Sequence, residues 1–202
     1  MTNAHVAAVT EPVGILLAAG RGRRFDPSGE RDKLHQTLAD GRTVATAAAA
    51  NLLMAVSRVV AVVRPDALSL ARELAELGCE IVTCKNADDG MAASLVTGLA
   101  HTADAAGWVI TLADMPYVKP ATIGALVAAI DRGAAIAVPT HHGLRGNPVA
   151  FGPIHSLQLL QLEGDQGARS LLKKFDVTEV AVDDPGVHQD IDAPADLQRQ
   201  VS

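Results

Sequence analysis

Short apolar runs alternate along the chain with longer stretches in which leucine recurs every three or four positions. Residues 13–17 form a short, continuous apolar run with glycine just beyond it, the pattern of a buried strand. Residues 58–63 are a β-branched run closed by Pro65. Leucine at 68, 70, 74 and 77 has helical spacing over 67–77, and Gly78 stops that helix. Residues 80–83 predict a strand, 91–102 a helix and 108–112 a strand. An alanine-rich helix over 121–132 ends at Gly133, and a strand over 135–138 ends at Pro139. Residues 148–151 and 177–182 predict two further strands, with a helix over 168–175 between them. The last helix, 194–200, carries proline in its first turn. Strands separated by helices of about 10–15 residues predict βαβ units and a mostly parallel sheet, which binds ligands beyond the carboxyl ends of its strands.

The 202 residues, 49% of them hydrophobic, suffice for one well-buried domain, read over 13–202, with residues 1–12 as a loose tail. No apolar stretch approaches the roughly 18–20 residues needed to span a bilayer, and no signal peptide is visible. The two cysteines, Cys79 and Cys84, lie five apart around a strand and read as core residues on opposite faces. So few cysteines fit a reducing cytoplasm rather than a disulfide framework or a zinc site. The net charge of −6 argues against nucleic acid as a partner.

Against that acidic background one loop stands out. Ala18, Ala19, Gly20 and Gly22 follow the first strand and let a ligand approach the backbone closely. Arg21, Arg23, Arg24, Arg31 and Lys33 then place five of seventeen basic residues in thirteen positions. Small residues and concentrated positive charge at a strand end suit a triphosphate, the alternative being a solvated basic loop. A dinucleotide fingerprint is disfavoured because Phe25 stands where a third glycine would let helix and strand pack closely. A P-loop is excluded, since the chain contains no Gly-Lys step.

Asp114 follows the strand 108–112 directly, and Pro116 stiffens the turn beyond it. A carboxylate there suits magnesium, which is held by one or two carboxylates together with waters and substrate phosphates. The other reading is an ordinary turn aspartate. Asp190 and Asp192 alternate on an extended segment before the last helix, where Asp192 could instead cap that helix. His141 and His142 precede Gly143-Leu-Arg145-Gly146-Asn147-Pro148, a docking loop for a second anionic ligand or a surface hairpin.

These residues resemble the signature of the MobA/MocA-like nucleotidyltransferases that finish the molybdenum cofactor. The likeness runs through Leu17-Ala-Ala-Gly20, Arg24, Lys33, Asn86, Gly90-Met-Ala-Ala-Ser94, Ala113-Asp-Met-Pro116, Arg145-Gly-Asn-Pro-Val149, Gly164 to Arg169 and Asp190 to Asp196. It implies a Rossmann-like, three-layer α/β nucleotide-diphospho-sugar transferase fold with one antiparallel strand near the sheet edge. By the same resemblance Leu17, Ala18, Ala19, Gly20, Arg21, Gly22 and Ser94 bind the nucleotide, and Arg24 and Lys33 serve its phosphates catalytically. Asp114 and Asp192 hold Mg2+, and Arg145, Gly146 and Asn147 bind the acceptor.

Members with Leu-Ala-Ala-Gly tend to use CTP and those with Leu-Ala-Gly-Gly tend to use GTP, so Ala19 points to cytidine. The chain departs from the family pattern in the longer 25–32 loop, in Ala113 for glycine and in Asn147 for histidine. The implied reaction transfers CMP from CTP to the phosphate of a molybdopterin-type acceptor and releases pyrophosphate. A molybdoenzyme or its chaperone is the implied protein partner. Another nucleotide, another phosphorylated acceptor, or a non-catalytic carrier of the finished cofactor remain the alternatives.

Overall fold

The computed structural model describes residues 11–28, 30–164 and 167–198. Residues 1–10 of the expected tail, Asp165 and Gln166 of the 164–169 motif, and residues 199–200 of the expected last helix lie outside these.

Four parallel and three antiparallel pairings join the strands of one sheet among the described residues. Strand β1 (Val13–Leu17) is flanked by parallel β2 (Val59–Val63) and parallel β4 (Trp108–Leu112), and β3 (Glu80–Thr83) extends the sheet beyond β2. On the other side of β4 lies β7 (Val149–Phe151), which runs antiparallel to both β4 and β5 (Ile136–His141). Strand β8 (Thr178–Ala181) pairs parallel with β5. The expected antiparallel strand is therefore β7, with β5 and β8 beyond it.

Helices cover both faces, as a parallel sheet requires. Alternation along β1 sends Leu16 to one core and Val13 and Ile15 to the other. The first core receives α1 (Val44–Leu53), α2 (Leu68–Glu76) and α4 (Pro120–Asp131). The second receives α3 (Met91–His101), α5 (Ser156–Leu160) and α6 (Arg169–Lys174). Cys79 belongs to the first core and Cys84 to the second, as their spacing predicts, and burial pushes the Cys79 thiol up to about 11. No helix among the described residues is long and apolar enough to cross a membrane.

Three local differences from the sequence reading have physical causes. Helix α1 has alanine at five of its ten positions and Val44, Leu52 and Leu53 besides, so it shows no apolar stripe; a reciprocal Thr43–Thr46 capping box starts it. Strand β5 continues through Pro139 to His141, because the ribbon opposite it is bulged there. Thr140 pairs with Arg145 of β6 (Leu144–Arg145), yet Ala137 pairs with Ala150, a register slip of two residues taken up at 146–148. The segment after Asp192 is a 3-10 helix, Pro194–Gln198, rather than an α-helix.

Candidate active site

Pairing persists one residue past β1. The Ala18 N–H donates to the Val62 carbonyl at 2.9 Å, which turns Ala18 into the core instead of toward a ligand. Leu17, Ala19 and Gly20 then line a cavity of about 480 Å³. Its remaining wall comes from other connections at the same edge of the sheet. Arg21, Arg23 and Arg24 stand beyond β1, Arg64 beyond β2, Asp88 beyond β3 and Asp114 beyond β4, with Ser94 on α3. This is the edge where an open α/β sheet binds its ligands.

The described residues between Arg24 and Lys33 are tied together by hydrogen bonds. The Asp26 carboxylate accepts hydrogen bonds from the Ser28 N–H and hydroxyl and from the Arg31 N–H. Phe25 is buried in the first core. Asp32 caps the 3-10 turn Lys33–His35 by accepting from the Leu34 N–H. Gly22 has φ +61°, and a Cβ there would lie 3.2 Å from the Lys33 side chain, so this glycine packs on the lysine stem and does not line the cavity. The detour thereby returns Lys33 to the strand ends.

There Lys33 meets two carboxylates. Its Nζ lies 2.6 Å from Asp114 Oδ2 and 3.5 Å from Asp192 Oδ1. Arg24 donates to the other oxygen of Asp192. Asp192 thus does not serve as a helix cap. Buried Asp196, inside the 3-10 turn that follows, reaches back to fix this segment: its carboxylate accepts from the N–H groups of Asp192 at 3.0 Å and Ala193 at 2.7 Å. Asp190 is exposed. Two carboxylates already gathered around one cationic nitrogen form a hard-oxygen set that suits a divalent cation completed by phosphate oxygens and water.

A second charge cluster closes the rim of the cavity. Asp88 accepts paired hydrogen bonds from Arg21, at 2.8 and 2.7 Å, and from Arg64, at 3.0 and 3.2 Å. These guanidinium groups hold the Asp88 carboxyl well below the usual carboxylate range. Asp88 and Arg64 were not singled out by sequence; their signal was Asp88's place inside the Asn86–Gly90 motif.

A second cavity, of about 400 Å³, shares Leu17, Met91 and Leu112 with the first. Arg145, Gly146 and Asn147, expected to bind an acceptor, all line it, as do Arg169 and Lys173 of α6. The Asn147 N–H donates to the Val187 carbonyl at 3.0 Å, and a Cβ on Gly146 would lie 2.5 Å from that same oxygen. Only glycine fits that approach. Val187 is held in turn by Asp184, whose buried carboxylate accepts from the Gly186 and Lys119 N–H groups and the Thr122 hydroxyl.

Known proteins share this arrangement of elements. The structure of Rv0371c from Mycobacterium tuberculosis H37Rv is similar, with a TM-score of 0.78 and 30% identity, covering 93% of this chain and 95% of that one. A complex of Rv0371c with manganese matches with a TM-score of 0.75 and 29% identity over 93% and 96% of the two chains. Purine catabolism protein PucB of Bacillus subtilis is 29% identical over 194 residues, 90% of this chain and 92% of PucB. Residues 14–180 match the family described as the MobA-like NTP transferase domain, and the chain belongs to that family.

Proposed function

We propose that this nucleotidyltransferase moves CMP from CTP to the phosphate of a molybdopterin-type acceptor, with magnesium, and releases pyrophosphate. The observation that carries the reading is the meeting of Lys33, Asp114, Asp192 and Arg24, of which Arg24 and Asp114 line the first of two adjoining cavities.

The acceptor's terminal phosphate attacks the α-phosphorus, and the bond to the bridging oxygen of pyrophosphate breaks. Nucleophile and leaving group are both already anions, so little proton transfer is needed. Arg24 and Lys33 neutralise the outer phosphates, and the small-residue turn at Ala19 and Gly20 lets the nucleoside lie against the backbone. Asp114 and Asp192 would hold magnesium, which supplies charge neutralisation at the phosphate oxygens. Lys33 then leaves the carboxylates for the phosphates. The first cavity takes the nucleotide and the second takes the acceptor. A molybdoenzyme, reached directly or through its chaperone, is the proposed protein partner.

The test is pyrophosphate release, measured with and without magnesium, for each nucleoside triphosphate against a panel of phosphorylated acceptors that includes molybdopterin. CTP with molybdopterin is expected to be the fastest pair. Tight CTP binding with no release for any acceptor would favour the carrier instead.

A further inference from the structure

The second cavity has a divided character. Its floor is apolar, formed by Ile110, Leu112, Val138 and Val149, while its rim carries Arg145, Arg169 and Lys173. The three cations are not equivalent. Arg145 is engaged, donating to Glu179 at 2.7 Å. Arg169 and Lys173 are exposed, and among the described residues neither is paired with a carboxylate. They stand four apart on α6 and so share one face of it. Helix α6 is itself anchored in the second core through Leu171, which fixes that face against the cavity.

An apolar floor beside open positive charge selects a ligand with a flat or apolar body and an anionic group. A guanidinium fork binds a phosphate through two parallel hydrogen bonds, and a neighbouring ammonium adds a point charge. We propose that Arg169 and Lys173 are specificity-determining residues that bind the phosphate monoester of the acceptor while its ring body packs on the apolar floor. This inference rests on the reading of the second cavity as the acceptor's place.

Pyridoxal 5′-phosphate is a suitable probe, because it joins a flat heteroaromatic ring to a phosphate monoester. Its aldehyde forms an imine with a lysine Nζ, losing water, and added borohydride reduces that imine to a stable amine that peptide mapping locates. Lys174 is the internal control, since it lines a different cavity, between α5 and α6. Lys173 is expected to be labelled about tenfold faster than Lys174, and Arg169→Gln to remove most of that preference. Pyridoxal, which lacks the phosphate, should show none. Equal labelling of Lys173 and Lys174, or the same preference with pyridoxal, would overturn the proposal.

Kinetics give a second measurement. Arg169→Gln and Lys173→Gln should each raise the acceptor KM roughly tenfold and leave the CTP KM unchanged. Preferential labelling of Lys173 without pyrophosphate release from any nucleotide would uphold the anion subsite and defeat the proposed transfer reaction. Transfer with no Lys173 preference would do the reverse.

Discussion

The Ile191 N–H donates to the carbonyl of Asp114 at 2.8 Å. This one backbone bond joins the end of β4 to the C-terminal segment and so brings Asp192 beside Asp114. Because the backbone makes the bond, the Asp114 carboxylate is left to face Lys33 and the first cavity. Asp114→Asn should keep the thermal unfolding midpoint and lower pyrophosphate release roughly 100- to 1,000-fold. Near-normal release by the folded variant would remove Asp114 from the reacting centre.

Asp196 holds the other carboxylate indirectly. With Asp196→Ala, the N–H groups of Asp192 and Ala193 lose their acceptor and the carboxylate of Asp192 loses its fixed position. The magnesium concentration at half-maximal activity should rise roughly 10- to 100-fold, as for other groups that orient metal ligands. Asp196→Asn keeps an accepting oxygen and should restore most of the loss. An unchanged magnesium titration in the alanine variant would leave Asp196 a purely structural group.

Lys33 lies 2.6 Å from Asp114, yet it is proposed to serve the outer phosphates. Lys33→Ala should therefore weaken binding of CTP roughly 10- to 100-fold at saturating magnesium and leave CMP binding nearly unchanged. Calorimetric titration of both nucleotides measures the difference. Equal losses for the two would place Lys33 away from the outer phosphates.

His155 supplies a pH dependence of stability. It is buried, packed 4.6 Å from the ring of Phe175, and neither ring nitrogen has a hydrogen-bond partner among the described residues. Burial pushes its pKa below the ordinary value, so the folded state binds fewer protons than the unfolded one as pH falls. The stabilisation is complete above the unfolded-state value of about 6.5 and is lost as pH falls through that value toward the lower folded one. The thermal midpoint should drop between about pH 7.5 and about pH 5.5, and His155→Leu should flatten that drop. Parallel curves for the two proteins would exclude His155 as the source.

Much of this architecture was legible from periodicity. Strands β1 and β4 begin and end where their apolar runs do, because strands buried on both faces read as continuous apolar segments. Helix α1 was not legible, since alanine at half of its positions leaves little contrast between its faces. In the site, Lys33 and the two aspartates could be named from their motifs, but their meeting could not. It depends on Asp26 folding the 25–32 loop and on the Ile191–Asp114 bond, both set by tertiary contacts. Arg169 could be placed in a motif, whereas Lys173 acquires meaning only once α6 is seen to face the second cavity.

The choice of base is proposed to turn on Ala19. This residue is buried and lines the first cavity. A purine is larger than a pyrimidine, and a methyl group in that wall crowds guanine more than cytosine. One methyl group of mismatch is worth about 1–3 kcal/mol, or roughly 10- to 200-fold in specificity. Ala19→Gly should therefore raise kcat/KM for GTP relative to CTP within that range, while CTP itself loses little. The measurement is the ratio of the two kcat/KM values in the parent and the variant, at matched magnesium and acceptor concentrations. A parent protein that uses GTP at least as efficiently as CTP would defeat this reading, since a methyl group that excludes guanine cannot coexist with efficient GTP turnover.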